Sequence, residues 1–428
     1  MKHWRKKAAV TALAFTLFSP LPVAGGKVFA EGQPAVTILL DDVPLAFDAP
    51  PVLDNGVTFV PFRAIGEALG ISLSWDNATQ TVSATGQKGG QPVSVALQVG
   101  NAAATVNGAS VKLPAAPRMT ANRVLIPLSF FSTQFGAKVG WTQETKTVTI
   151  VSPAKPVYLR AFYAISSFQE RDLIPAMNSV AFGWSRIDEQ GHFTMQGSEY
   201  NLPAASGTIT PESIIADAET GGVQPYLMVY SGDGHQELTT MLSSVQLRQE
   251  SIDGIAAAVE DKGFGGVVLD FEGLGFKLDK DEQASLLNEY AKQLRLALPD
   301  DTSLSLAVPP PNSNYKGYDH KTLAGIADDL IIMAYQYNPA GTSQQVLEPN
   351  SKVQQGIEQT IAAGVPKDKL LLGINMASET PQSIDDKLGL VKRYNLKGAA
   401  FWRLGLFRAY TDNMVDAVNA SVTKLQQS

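Results

Sequence analysis

From residue 157 onward the chain alternates short apolar runs with longer amphipathic stretches. The runs are Tyr158–Ala164, Ser179–Trp184, Gln224–Tyr230, Gly266–Asp270, Ser303–Val308, Asp329–Tyr335, Leu370–Ile374 and Gly398–Trp402. Continuous apolar runs of this length read as strands covered on both faces. Between them, Asp281–Leu298, Val353–Ala363 and Ser383–Tyr394 have helical spacing. Eight strand–helix units over roughly 270 residues predict an α/β fold, a parallel (β/α)8 or TIM barrel spanning residues 157–428.

Residues 31–151 follow a different pattern, and it occurs twice. Val57-Thr58-Phe59-Val60-Pro61-Phe62-Arg63 matches Val124-Leu125-Ile126-Pro127-Leu128-Ser129, Gly70 matches Gly136, Trp75 matches Trp141, and Thr79-Gln80-Thr81-Val82 matches Thr145-Lys146-Thr147-Val148. The offset of the second copy is constant, which marks duplicated supersecondary units that pack together. Each copy predicts a strand, a proline-started helix (Pro61–Leu69, Pro127–Phe135), a glycine stop and a hairpin. The region is thus expected to be a small duplicated α+β domain. Residues 152–156, Ser-Pro-Ala-Lys-Pro, are predicted to be a short stiff linker. Residues 1–30 combine a basic start, an apolar stretch from Ala8 to Phe18 and small residues at Val28-Phe29-Ala30. That is the pattern of a secretory signal peptide, too short to span a bilayer, and no later segment is long enough to do so.

Composition narrows the function classes. Of the 34 basic residues, five lie in residues 1–30, which hold no acidic residue. The mature chain therefore carries 29 basic against 41 acidic residues, a net charge of −12. So acidic a chain is a poor nucleic-acid binder. It has no cysteine, which excludes disulfides, thiolate metal sites and a thiol nucleophile. His3, His192, His235 and His320 are scattered, and the last three read as surface or structural residues. No metal or organic cofactor is expected.

Candidate chemistry sits at the strand ends. The fourth run ends in Asp270-Phe271-Glu272, with two carboxylates on one side of the strand. In a parallel barrel, catalytic groups lie at the C-terminal strand ends. Two carboxylates held close there raise one pKa, so that one can act as an acid near neutral pH. The sixth run ends in Met333-Ala334-Tyr335-Gln336-Tyr337, the seventh reads Leu371-Leu372-Gly373-Ile374-Asn375-Met376, and the eighth ends in Phe401-Trp402-Arg403-Leu404-Gly405. Tyr163, Trp184, Met333 and Gln336 are further candidates for lining the cleft.

These four strand ends, in this order, resemble glycoside hydrolase family 18, most closely its spore-germination and cortex-lytic N-acetylglucosaminidase branch. The phrase from Gln382 to Tyr394 is similar to that branch as well. Residues 31–151 resemble the copper amine oxidase N-terminal-like stalk domain of Gram-positive envelope proteins. Copper itself is not expected, because this region holds neither histidine nor cysteine.

The resemblance implies substrate-assisted, retaining hydrolysis of β-1,4-linked N-acetylglucosamine glycans, either peptidoglycan, spore cortex or chitin. Glu272 would be the general acid/base, Asp270 the partner of the substrate acetamido group, Tyr335 the donor to its carbonyl, and Trp402 the floor under the sugar. It also implies a secreted protein of the cell envelope in a Gram-positive-type bacterium, with the stalk-like domain as a spacer or wall-polymer binder. The chain departs from the family pattern at Gly265 and Val268, where polar residues are usual, and at Gln336, where an acid is frequent. Those departures keep an alternative open, a catalytically silent barrel that binds glycan or serves as an envelope scaffold. Only a short loop fits between Met376 and Ser383, where many relatives insert a small domain, so a shallow, open cleft is expected.

Overall fold

The computed structural model describes residues 36–165, 167–337, 346–409 and 414–426. The expected signal peptide lies outside them.

The eight apolar runs form eight parallel strands: β1 (Lys155–Tyr163), β2 (Ser179–Ile187), β3 (Gln224–Ser231), β4 (Gly266–Phe271), β5 (Ser303–Val308), β6 (Asp329–Met333), β7 (Leu370–Asn375) and β8 (Gly398–Trp402). Each pairs with the next, and β1 pairs with both β2 and β8, so the sheet closes on itself. Helices pack outside, among them α1 (Lys280–Ala297), α2 (Asn350–Ala362) and α3 (Pro381–Tyr394). Local chemistry sets their starts. Asp279 accepts the Asp281 and Glu282 N–H groups at the head of α1, and Thr380 and Ser383 form a reciprocal capping box on α3.

Strand alternation divides the barrel residues into two layers. Odd positions of β1, Leu159, Ala161 and Tyr163, pack outward with the helices, while Phe162 joins Val268, Ile331, Leu371 and Ala400 in the lumen. The lumen is plugged at its N-terminal end by an ion pair. Arg160 and Asp329, both 0% exposed, meet at 2.9 Å, and Lys397 reaches the other Asp329 oxygen at 2.6 Å. Ser179 and Ser305 complete the hydrogen bonding of the guanidinium. Buried charges persist only with such partners.

The N-terminal domain is β-rich with its own apolar core. The duplication is visible in its geometry. Strands Val57–Pro61 and Arg123–Pro127 pair antiparallel, and helices Phe62–Ala68 and Leu128–Gln134 begin directly after their prolines. The first strand, Thr37–Leu40, lies parallel to the last, Thr147–Val151.

The expected linker is shorter than its sequence implied. β1 already begins at Lys155, because Lys155–Val157 pairs with Val422–Lys424. Ser152 is held by Asp41, whose carboxylate accepts from its N–H and hydroxyl, both at 2.7 Å. The domain docks on α3. Arg393 donates to the carbonyls of Leu40, Val43 and Pro44, Gln382 donates to Asp42, and Gly389 lies so close to Asp41 that a Cβ would come within 2.3 Å of its Cβ.

Candidate active site

Asp270 is the last lumen-facing position of β4, two residues beyond Val268, and is 3% exposed. Its register neighbours are Tyr230 on β3 and Ala307 on β5. Its Oδ1 has no hydrogen-bond partner among the described residues. Burial, and then the neighbouring Glu272, push its pKa well above the ordinary carboxylate range.

Glu272 stands just past the strand end and is partly covered. Its N–H donates to the Ser231 carbonyl at 2.8 Å, and burial raises its pKa as well. The main chain on either side of it is pinned by one hydroxyl. Tyr318 Oη donates to the Phe271 carbonyl at 2.8 Å and accepts the Leu274 N–H at 3.3 Å. Gly273 has φ 98°, and a Cβ there would press on the Asp233 main chain at 3.2 Å, so glycine is required where the loop turns away.

Tyr335 follows β6 and lies in the field of both carboxylates. Burial first, then Asp270 and Glu272, raise its phenol pKa well above the usual value, so it keeps its proton. Trp402, the last residue of β8, and Met333, the last of β6, are half-buried in the lumen layer. The Trp402 ring meets Phe162 edge-on at 5.3 Å. Gln336 is exposed, with φ 61°.

Tyr163 and Trp184 are not in the cleft. They are 4% and 3% exposed and pack against Phe182 in the outer layer, between sheet and helices. The reason is alternation: Tyr163 has the opposite parity to lumen-facing Phe162, and Trp184 has the same parity as Val180 and Phe182, which pack outward.

Two tyrosines that no motif marked take their place. Tyr200 and Tyr230 stack with centroids 4.3 Å apart beside the carboxylates. Burial, followed by Asp270 and Glu272, raises both phenol pKa values. Tyr230 could have been found from its register with Asp270, whereas Tyr200 sits in an irregular segment with no periodic signal.

Among the described residues no group of three His, Cys, Asp or Glu is placed to hold a metal ion. His320 is buried with its ring against the Pro309 carbonyl at 2.8 Å.

Such a mouth, with a raised carboxyl pair and a protonated phenol, can give and take a proton and hold a polar group. Residues 225–380 match the model of glycosyl hydrolases family 18, and residues 39–150 match that of the copper amine oxidase N-terminal domain. The chain is 29% identical over 171 residues to a putative sporulation-specific glycosylase, YdhD, of Bacillus subtilis, covering 39% of this chain and 37% of that protein. It is 26% identical over 167 residues to class V chitinase CHIT5 of Lotus japonicus, covering 35% and 42%. The chain thus spans less than half the length of these relatives. The solved spore cortex-lytic enzyme SleL of Bacillus cereus superposes with a TM-score of 0.52 at 16% identity, over 64% of this chain and 77% of that one. At that identity the likeness shows the fold.

Proposed function

We propose that this chain, whose barrel is a family 18 glycosyl hydrolase domain behind a copper amine oxidase N-terminal-like domain, cleaves β-1,4-linked N-acetylglucosamine glycans of the cell wall or spore cortex type. The observation that carries the reading is the grouping of Glu272, Asp270 and Tyr335 at the C-terminal mouth of the barrel, with both carboxyls raised. The sporulation-specific name of one relative and the cortex-lytic name of one structure favour wall glycan over free chitin.

In this mechanism the substrate's acetamido carbonyl oxygen attacks the anomeric carbon as the glycosidic C–O bond breaks. The Glu272 proton passes to the leaving oxygen. Asp270 accepts the acetamido N–H and offsets the charge of the oxazolinium formed. Tyr335 donates to the acetamido oxygen and holds it in line. Water then attacks the anomeric carbon, gives its proton to Glu272 and reopens the oxazolinium, with overall retention. Trp402 offers its ring to the sugar's C–H face.

Gln336, exposed at the mouth, and half-buried Met333 complete the proposed contacts. The loop from Met376 to the start of α3 at Pro381 is short, so no wall rises on that side. On the loops after β4 and β5, Phe276 and Tyr315 are 59% and 41% exposed with rings 5.4 Å apart, a surface on which a further sugar can pack.

In this reading residues 1–30 direct secretion, and the N-terminal domain places the enzyme on the envelope. Among the described residues no helix is long and apolar enough to cross a membrane. A silent glycan-binding barrel is favoured by one observation, the apolar floor that Val268 makes beneath the unpartnered Asp270 oxygen.

One experiment separates the two. Purified peptidoglycan, cortex fragments and chitooligosaccharides are incubated with wild type and with Glu272→Gln, and reducing ends are read by mass spectrometry. The enzyme reading expects N-acetylglucosamine-ended products and a loss of about 10²- to 10⁴-fold in the variant. Glycan binding without turnover by either protein would establish the silent barrel.

A further inference from the structure

We propose that Glu348 is a positioning residue for this reaction, its buried carboxylate gripping the chain just after β6 and so setting where the Tyr335 hydroxyl meets the substrate. The inference rests on the functional reading above.

Beyond Met333 the chain leaves the sheet, and Tyr335 stands two residues past the last strand position. The next residue, Gln336, takes up a left-handed backbone, φ 61°, which a residue with a side chain adopts only when its surroundings impose it. Those surroundings are a carboxylate. The Gln336 N–H donates to Glu348 Oε1 at 2.8 Å and the Tyr337 N–H to Oε2 at 3.2 Å. Successive N–H groups around a left-handed residue form a concave donor pair suited to an anion. Glu348 is 4% exposed, and hydrogen bonds to an ionised acceptor in such a place are strong and directional.

Glu348 is itself held in place. Lys387, 1% exposed on α3, donates to the Glu348 carbonyl at 2.9 Å and to Asn350 Oδ1 at 2.6 Å, and it lies 3.4 Å from Glu379 Oε2. Across the loop, Tyr337 Oη donates to Asn312 Oδ1 at 2.9 Å. The path from the helix layer to the phenol is therefore continuous: α3 holds Lys387, Lys387 holds the Glu348 main chain, and the Glu348 carboxylate holds the peptides beside Tyr335. Both carboxylate oxygens accept main-chain N–H groups, so Glu348 acts through geometry and not by proton transfer. The Glu348 charge also adds to the forces that keep Tyr335 protonated.

The test is steady-state kinetics on N-acetylglucosamine oligosaccharides with Glu348→Gln and Glu348→Ala, each checked for folding by circular dichroism. The amide of the Gln variant turns a donor toward one of the two N–H groups. An ångström of misplacement costs up to about 10²-fold, so kcat should fall about 10- to 100-fold. KM should stay within about threefold, because the loss is in the transition state. Added formate, a small carboxylate, should restore part of kcat in Glu348→Ala, which a merely structural defect would not permit. If both variants fail to fold, Lys387→Met, which leaves the carboxylate but frees its main chain, should lower kcat with KM unchanged.

Unchanged kcat in folded Glu348→Gln, a folded Glu348→Ala that formate does not rescue, or unchanged kcat in Lys387→Met would overturn the inference while leaving the hydrolase standing. A wild type that turns over no glycan would overturn the hydrolase and this inference together.

Discussion

Asp270 and Glu272 share one mouth but differ in surroundings. Asp270 is enclosed above Val268 with an unpartnered oxygen, while Glu272 stands at the strand end, and burial raises both. A raised Glu272 keeps its proton to higher pH, and in the proposed mechanism the acid form is the one that protonates the leaving group. The alkaline limb of kcat/KM should therefore lie above the ordinary glutamate value of 4.5. A pH–rate profile checks this, and an alkaline limb at the ordinary value would contradict it. The carboxylate pair was legible in the sequence because an apolar strand ending in two acids has few structural explanations. Tyr163 and Trp184 were misplaced because aromaticity at a strand end does not reveal parity, and both stand at outward-facing positions of their strands. Glu348 carried no signal, since its partners are main-chain N–H groups that any sequence supplies.

At the scale of elements, the strands were readable because a doubly covered strand is apolar throughout, and seven of the eight predicted starts coincide with the observed ones. The exception is β1, which is lengthened at its start by pairing with residues more than 250 positions away, a contact no local pattern encodes. The loops after β4 and β5 were not readable in this way. They are tied together where the Gly317 N–H donates to the Leu274 carbonyl at 3.1 Å, and they carry the exposed Phe276 and Tyr315 rings. If a sugar packs on those rings, Phe276→Ala should remove about 1 kcal/mol of stacking, a rise of about fivefold in KM for polymer. Turnover of the shortest cleavable oligosaccharide should be unaffected. Equal effects on long and short substrates would remove the rings from the binding surface.

At the scale of the whole molecule, most of the strongly perturbed buried acids shift in one direction. Burial raises Asp41, Asp270 and Glu272, takes Asp386 to about 6, and takes Glu379 to about 7 against the pull of Lys387. Each binds its proton more tightly folded than unfolded, so its stabilising contribution is full below the unfolded value and is lost as pH rises through the folded one. For Asp386 and Glu379 that window runs from 3.8 and 4.5 to about 6 and about 7. Asp329 opposes them. Burial alone would raise it, but Arg160 and Lys397 outweigh burial and lower it, so its contribution is lost only in stronger acid. Melting temperature should accordingly be highest near about pH 4 and decline toward about pH 7. A flat or rising curve over that range would refute the assignment.

The docked N-terminal domain gives a second prediction at this scale. Arg393→Ala removes three hydrogen bonds to Leu40, Val43 and Pro44 and should split one calorimetric transition into two. A single, unshifted transition would mean that the contact contributes nothing to the coupling.

The shortness of the junction at Ser152, together with the contact on α3, has a consequence for how such a molecule would work on a solid, were the proposed wall glycan its substrate. A tethered blade swings, and its radius of action is the length of the tether. This one has no slack: Asp41 grips Ser152, and Arg393 grips the strand ends beside it. With residues 36–151 resting on a polymer, Glu272 would meet only bonds at one fixed distance from the foothold. The pace of digestion would then be set by how often the foot lifts and lands again, and the cuts would be spaced by the dimensions of the protein itself.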